Sequence, residues 1–315
     1  MINFLVIGCG NIGALYDFEN DKVQTHVKAI SQDKNFKLTV HDSNSELMSL
    51  VAEKYKCLKI EEINAETLKN FHCVSICGPT ETHLQYLLDC FLNNVKLIIC
   101  EKPITNIFND IAVLKNAYLH SNSKVIVNYF RKYQPAFIKL NSIISNLFKT
   151  EPLLNINVRY QKGFLNNCSH AFDLLEFLFE KKLAIEITGQ INVNYDYFPI
   201  DPTISFIANW GDSNLNVIGL PSLKYSVFEI DLFFENYRIQ IDQSGNRIQI
   251  FESKLFKTHR SLALLNEYIY NNCIENNMKN VIDYANKILN KEIDNDNFID
   301  SLNLNEKMLQ ILKQI

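Results

Sequence analysis

The stretch FLVIGCGNIGAL, from Phe4 to Leu15, contains three of the nine glycines in the chain. They form a G-x-G-x-x-G motif that follows a short apolar run and precedes a helical pattern, the context in which this motif has meaning. Glycine suits a backbone that turns tightly or is approached closely. A strand, a turn and the amino end of a helix would bind the pyrophosphate of a dinucleotide. The candidate cofactor-binding residues of this loop are Gly8, Gly10, Asn11, Ile12 and Gly13.

The second predicted strand, FKLTVHD, ends at Asp42. A carboxylate at this place accepts hydrogen bonds from both ribose hydroxyls of an adenosine and repels a 2′-phosphate, and no Arg follows in SNSEL. The sequence therefore favours NAD over NADP as the cofactor. The alternative is a glycine-rich turn and an ordinary Asp at a strand end that caps the helix beginning at residue 44.

Length and composition bound the class of protein. A chain of 315 residues exceeds the size at which one core stops growing, so we expect two domains. The net charge of −4 and the absence of a Lys/Arg-rich run argue against a nucleic-acid-binding surface. No window reaches about 18 apolar residues, and we expect a cytoplasmic protein without a membrane segment. The eight cysteines contain no CxxC pair and are expected to be buried free thiols rather than a disulfide framework or a zinc site.

The hydrophobic pattern changes near residues 120–130. Before this point, apolar runs such as HCVSIC and KLIIC alternate with helical segments, which predicts an α/β domain with a doubly wound parallel sheet. After it, many strands with period two predict an α+β domain with a large, mainly antiparallel, open-faced sheet, covered by helices at 168–180, 261–290 and 304–314. We predict a dinucleotide-binding (Rossmann) domain over 1–122 and a substrate-binding and oligomerisation domain over 123–315.

Four further motifs follow the glycine loop in order: CGPTETH at 77–83, CEKP at 100–103, NYFRKYQP at 128–135 and NNCSHAFDLLEF at 166–177. Together with GCGNIG they resemble the Gfo/Idh/MocA family of nicotinamide-dependent oxidoreductases. Members of that family act mainly on sugars, cyclitols and nucleotide sugars. The resemblance covers nearly the whole chain and implies a dinucleotide-binding domain followed by a larger open-faced sheet domain.

The resemblance implies two catalytic residues, Lys102 and His170. Lys102 would lie near the nicotinamide and the substrate hydroxyl, where an ammonium stabilises a developing alkoxide, and a cis Lys102–Pro103 bond is expected. His170 would act as general acid/base, since an imidazole can take the alcohol proton as hydride departs. The alternatives are a solvated Lys at a strand end and a His at a helix start that Ser169 caps.

The same motifs supply further candidates. The predicted substrate-binding residues are Arg131, Tyr160, Asn166 and Asp173, and the further cofactor-binding residues are Gly78, Pro79, Thr80, His83, Glu101 and Lys102. Relatives often have Asp where this chain has Asn166, and Asn cannot hold a charge or relay a proton. Asp173 either orients His170 or favours the positive end of its helix. Arg131 either faces the site or forms a structural salt bridge, and no metal site is predicted.

The leading hypothesis is an NAD-dependent oxidoreductase that transfers hydride between the nicotinamide and a carbinol carbon of a sugar-like substrate: a sugar, a cyclitol or a nucleotide sugar. A catalytically silent sensor that binds NAD and a sugar is the alternative, and NAD-assisted glycoside cleavage is a third possibility. Apolar residues of SVFEIDLFF on the free face of the second sheet predict a homodimer or homotetramer formed through that sheet.

Overall fold

The computed structural model describes residues 1–147, 149–182, 184–189, 191–256 and 258–314. These residues form two compact units, one of Met1–Phe130 with Glu275–Gln310 and one of Arg131–Ile274 with the residues from Ile311 onward. This division differs from the predicted boundary at 122/123. Residues 124–127 form a strand of the first sheet, and a segment near the carboxyl end returns to the first unit.

The first unit contains a six-stranded parallel sheet with the order β3-β2-β1-β4-β5-β6. This topology confirms the predicted doubly wound sheet. Its elements are β1 (Ile2–Ile7), α1 (His26–Ser31), β2 (Phe36–His41), α2 (Ser45–Tyr55), β3 (Leu58–Lys59), α3 (Ala65–Leu68), β4 (Cys73–Ile76), α4 (Thr80–Leu92), β5 (Leu97–Cys100), α5 (Asp110–Leu119) and β6 (Lys124–Val127).

The residue types explain these elements. Every residue of β4 and β5 is buried, as expected for strands that are covered on both faces. The N-cap of α2 is Asn44, whose side chain accepts hydrogen bonds from the N–H groups of Glu46 and Leu47. The alternative prediction, in which Asp42 caps this helix, is therefore wrong. All eight cysteines are free, and seven of them are buried.

The second unit contains a mixed sheet with the order β15-β14-β13-β12-β7-β11-β10-β8, and β9 pairs with β10. All neighbouring strands in it are antiparallel except β7 and β11, which confirms the mainly antiparallel prediction. The elements are α6 (Pro135–Leu147), β7 (Leu153–Tyr160), α7 (Ser169–Phe179), β8 (Ile185–Ile187), β9 (Asn192–Asn194), β10 (Thr203–Trp210), β11 (Ser213–Gly219), β12 (Phe228–Phe234), β13 (Tyr237–Asp242), β14 (Arg247–Phe256) and β15 (His259–Asn271).

Two helices close the first unit, α8 (Asn277–Leu289) and α9 (Phe298–Leu312). The Asp296 carboxylate accepts from Val125 N at 3.1 Å, and the Asn297 amide exchanges hydrogen bonds of 2.7 and 2.9 Å with the backbone of Val127. These side chains form hydrogen bonds with backbone groups of β6, the edge strand of the sheet. Unpaired backbone groups at an edge can otherwise pair with a strand of another chain.

The predicted helix over 261–290 is wrong in its first half. Residues 259–271 form β15, which pairs with β14 along most of its length, and the helix begins only at Asn277. Leu, Ile and Tyr in LALLNEYIY fit a strand as well as a helix, and the long pairing decides between them. The predicted strand over 183–195 is replaced by β8 and β9, and residues 183 and 190 lie outside the described residues.

Most apolar residues of β12 do not lie on a free face. Phe228, Ile230, Leu232 and Phe234 are buried, while the alternating positions hold Glu229, Asp231 and the half-buried Phe233. Among these neighbours, Asp231 accepts hydrogen bonds from Arg159 at 2.8 Å and from Arg238 at 2.7 Å. The predicted homodimer or homotetramer stays a prediction, but burial of most apolar residues of β12 removes most of the support that SVFEIDLFF gave it.

Candidate functional site

The glycine loop at the end of β1 is shaped by its own packing. Gly8 has φ +100°, and a Cβ on it would lie 2.8 Å from backbone atoms of Cys77 and Gly78. A Cβ on Gly13 would overlap the carbonyl oxygen of Gly8, so a side chain is excluded there as well. Gly10 has open space around its Cβ position. The loop therefore needs glycine at two positions for its fold and leaves the third open to a ligand.

The helix after the loop is shorter than the motif suggests. Residues Asn11–Leu15 form one π-helical turn, whose first hydrogen bond runs from Ala14 N to Gly10 O at 2.8 Å. Residues 16–25 separate this turn from α1 and form a loop held by the Asp17 carboxylate, which accepts from the N–H groups of Gln24 and Thr25. The N–H groups of 11–13 precede the first bond of the turn, as at any helix start.

Asp42 lies beside the glycine loop. Its Oδ2 accepts from Cys9 N at 2.6 Å and its Oδ1 accepts from Asn44 N at 2.8 Å. Burial, and after it the Asp42 carboxylate, raises the pKa of Cys9 to about 12, so that thiol is neutral. The carboxylate is held in one orientation next to the loop.

His83 connects two predicted motifs. Its Nδ1 lies 3.0 Å from the carbonyl oxygen of Pro103 and its Nε2 lies 3.0 Å from that of Gly78. Burial lowers the pKa of His83, so the ring is neutral and one of its nitrogens donates at a time. His83 thereby holds the turn after β4 against the Lys102–Pro103 turn, whose peptide bond is cis as expected. Gly78, Pro79 and Thr80 are at least partly exposed on that turn.

Glu101 is buried in a polar cluster of the first unit. Its Oε1 accepts from His26 Nε2 at 2.8 Å and from Asn128 Nδ2 at 2.5 Å, and Ser75 Oγ lies 2.5 Å from His26 Nδ1. Burial by itself lowers the pKa of His26, but hydrogen bonding and charge from Cys77 and Glu101 outweigh it and raise that pKa to about 10.

The same contacts lower the pKa of Glu101, although burial opposes this, so the two groups form an ion pair. Lys102 follows directly and also lowers the pKa of Glu101. The predicted role of Glu101 is a contact with the cofactor or with Lys102, and its partner His26 is not among the predicted residues. The available signal was a His at the first position of a predicted helix.

In the second unit, a continuous helical run carries Asn166, His170 and Asp173. A π-helical turn, Phe164–Cys168, leads directly into α7. The Asp201 carboxylate accepts from the N–H groups of Leu165 and Asn166, both at 2.8 Å, so the capping group is Asp201 and not Ser169. The Asn166 amide donates to the carbonyl oxygen of Lys162 at 3.0 Å, and His170 is buried in the first turn of α7.

A charged pair lies one turn after His170. Lys132 Nζ lies 2.6 Å from Asp173 Oδ1, and both side chains are largely buried. Burial raises the pKa of Asp173 to about 6, although Lys132 opposes the rise. Burial lowers the pKa of Arg131 to about 9, and its guanidinium lies 3.6 Å from the centre of the Phe228 ring. Asp173 therefore pairs with Lys132, a partner that the sequence analysis did not name.

Tyr160 lies in the core. Its ring is fully buried, and its hydroxyl bonds both the N–H and the carbonyl oxygen of Ile204, at 2.8 and 2.9 Å. This placement gives Tyr160 a structural task in joining β7 to β10, and it does not favour the predicted contact with substrate.

The structure groups the predicted residues by unit. The glycine loop, Asp42, the turn after β4 and the Glu101–Lys102 segment belong to the first unit, and the four substrate candidates and His170 belong to the second. Within the described ranges, no three His, Cys, Asp or Glu side chains come together as metal ligands. No helix of the described chain has the length and apolar character needed to cross a bilayer.

Comparison with known proteins agrees with this fold. The model of the family GFO_IDH_MocA, described as "Oxidoreductase family, NAD-binding Rossmann fold", matches residues 2–129. The fold and the glycine loop of the first unit are thus those of an NAD-binding Rossmann domain. Over residues 2–129 the chain matches the Gfo/Idh/MocA family.

Three relatives illustrate the similarity. An inositol 2-dehydrogenase from Rhizobium meliloti (strain 1021) is 27% identical over 209 residues, which are 61% of this chain and 60% of that protein. The matched part thus spans less than two thirds of that relative. A 3-ketoreductase from Actinomadura kijaniata in complex with NADP and TDP-benzene has a TM-score of 0.75 at 10% identity, covering 98% of this chain and 96% of that one. A UDP-N-acetylglucosamine 3-dehydrogenase from Acidithiobacillus ferrooxidans has a TM-score of 0.74 at 14% identity, covering 100% and 96%. Both solved structures support the fold alone.

Proposed function

We propose that the protein is an NAD-dependent oxidoreductase that interconverts an alcohol and a ketone on a sugar-like substrate. The match of residues 2–129 to an oxidoreductase family supports the reaction class. The names of the relatives, which concern inositol and nucleotide sugars, support a polyhydroxylated substrate.

The observation that carries the cofactor proposal is the pairing of Asp42 with the glycine loop. Asp42 Oδ2 is 2.6 Å from Cys9 N, and the loop is open above Gly10. A carboxylate held there would accept from ribose hydroxyls and repel a 2′-phosphate, which favours NAD. One related structure contains NADP, so the preference needs a direct measurement.

Two side chains are proposed to handle the proton, Lys102 and His170. When bound, NAD supplies the carbon that accepts or returns hydride. In the oxidative direction, the hydroxyl proton leaves the substrate oxygen to one of these two side chains as hydride leaves the carbinol carbon, and a ketone, NADH and a proton result. Lys102 directly follows Glu101 and lowers the pKa of that carboxyl, and we propose that the Lys102 ammonium stabilises the developing alkoxide.

The test is substrate-dependent absorbance of NADH at 340 nm with a panel of cyclitols, free sugars and nucleotide sugars. Lys102→Met and His170→Ala should each lower kcat by at least about 100-fold, the contribution typical of acid–base catalysis. Lys69→Met and His120→Ala are matched controls, because both side chains are exposed in the first unit and should leave kcat unchanged. Full activity in both catalytic variants would refute the assignment.

The sensor hypothesis keeps one supporting observation. The Asn166 amide donates to a backbone carbonyl, so the position where relatives often have Asp supplies no acid group. A sensor would bind NAD and a sugar and show no turnover with any member of the panel.

A further inference from the structure

Exposed aromatic side chains are concentrated in one part of the second unit. Four of the six exposed aromatic side chains among the described residues come from 195–198 and 225. Their exposed fractions are 67% for Tyr195, 42% for Tyr197, 38% for Phe198 and 67% for Tyr225. We call these four side chains the aromatic platform. Exposed apolar patches on folded chains commonly mark binding sites.

Hydrogen bonds hold the two segments of the platform together. The Tyr197 hydroxyl donates to the carbonyl oxygen of Leu223 at 2.8 Å, and the Asp196 carboxylate accepts from Ser222 N at 3.0 Å. The Gln161 amide donates to the carbonyl oxygen of Tyr225 at 2.5 Å. The platform is therefore an ordered surface made by two cross-linked loops.

A cation lies against the platform. Lys162 Nζ is 5.3 Å from the centre of the Tyr197 ring, a cation–π distance. Lys162 has φ +65° and Gly163 has φ +86°, so two consecutive residues adopt the left-handed region. For a Lys this conformation is costly, and costly backbone conformations concentrate at functional sites.

The platform adjoins the helical run that carries the substrate candidates. A Cβ on Gly163 would lie 3.1 Å from the Phe198 ring, and Asp201 caps the turn that contains Asn166. The carboxylates of Asp196 and Asp201 both accept from backbone N–H groups, which offsets part of their charge. Aromatic rings beside an ammonium match a ligand that has a planar base at one end and phosphates next to it.

We propose that the aromatic platform and Lys162 bind the nucleoside diphosphate part of a nucleotide-sugar substrate. The base stacks on the tyrosine and phenylalanine rings, and Lys162 pairs with the diphosphate. This inference rests on the proposed function for the sugar end of the same substrate. It narrows the substrate class to nucleotide sugars, because free sugars and cyclitols lack the base and the diphosphate that the platform and Lys162 would bind.

The test is calorimetric titration of the full chain with UDP in the presence of saturating NAD, which blocks the dinucleotide loop. Tyr225→Ala should weaken UDP binding about tenfold, within the range for loss of one stacking ring. Tyr197→Phe should keep the affinity because it keeps the ring, while Tyr197→Ala should lose it. Lys162→Met should weaken UDP and leave uridine unchanged. Phe256→Ala, an exposed aromatic of β14, is the matched control and should bind normally.

Three outcomes would overturn the proposal: no UDP binding, equal binding of UDP and inorganic pyrophosphate, or unchanged affinity in Tyr225→Ala and Tyr197→Ala. If those two variants instead change the sedimentation coefficient, the platform is a contact between copies of the chain. The titration does not depend on turnover. UDP binding in a chain that never produces NADH would refute the proposed function alone, and NADH production from free sugars without UDP binding would refute this inference alone.

Discussion

The buried pair of His26 and Glu101 should make the free energy of unfolding depend on pH. His26→Gln keeps a hydrogen-bond donor near Glu101 but removes the group that can be protonated. The two side chains are 0% and 8% exposed, so water screens the pair very little. Breaking a buried ion pair by removing one charge is strongly destabilising.

The magnitude follows from the pKa of His26, which is about 10 in the folded chain and 6.5 as its ordinary value. One pH unit of difference corresponds to about 1.4 kcal/mol, so protonation of His26, which Cys77 favours first and Glu101 second, contributes on the order of 5 kcal/mol. Because the folded pKa is the higher one, this stability is complete below about pH 6.5 and is lost as the pH rises through 10. Glu101 is the other partner of the same interaction and adds no second contribution.

Urea unfolding followed by circular dichroism at pH 7, 8 and 9 measures this loss. The stability difference between the original chain and His26→Gln should shrink by about 1.4 kcal/mol per pH unit. His83→Gln is the matched control: burial lowers the pKa of His83, so its ring is neutral across this range and its difference should not vary. Parallel pH curves for the original chain and His26→Gln would refute the charged state of His26.

Three further predictions concern the loop, the cofactor and the core. Gly13→Ala should lower the melting temperature, because its Cβ would overlap the Gly8 carbonyl oxygen. Gly10→Ala should keep the melting temperature and weaken NADH binding in a fluorescence titration. Equal melting temperatures for the two variants would contradict the packing argument. Asp42→Ala should weaken NADH binding about tenfold, which is the effect of losing one charge-assisted hydrogen bond, and it should weaken NADPH binding less. An unchanged ratio of the two dissociation constants would count against the preference for NAD. Tyr160→Phe should lower the free energy of unfolding by about 1–3 kcal/mol, because the backbone groups of Ile204 lose their hydroxyl partner. KM should stay constant. A raised KM in a fully stable variant would support the predicted contact of Tyr160 with substrate.

Much of the fold could be predicted because its signals are local. Apolar runs such as KLIIC are buried on both faces, and a glycine loop after the first strand with an Asp at the end of the second strand is itself a fingerprint. The segment 261–271 was wrongly predicted as helix, because its apolar pattern fits both a helix and a strand and only pairing with β14 decides.

The contacts that complete the site are distant in sequence. His26 and Glu101 are 75 positions apart, and the cap of the helical run at Leu165 comes from Asp201, 36 positions away. No propensity or spacing rule relates such pairs. The structural contact of Tyr160 could not be predicted for the same reason, since its partner Ile204 lies on a different strand, and its contact with substrate stays a prediction.

The side chains of Asp296 and Asn297 that pair with β6 are synthesised 171 and 170 residues after their partners Val125 and Val127. The first unit therefore cannot reach its finished form before they emerge, although all six strands of its sheet are made earlier. A nascent chain that stalls before these residues would carry a bare strand edge. A fragment of residues 1–130, which keeps β6 but lacks Asp296 and Asn297, should aggregate, and an isolated first unit would need residues 275–310 as well.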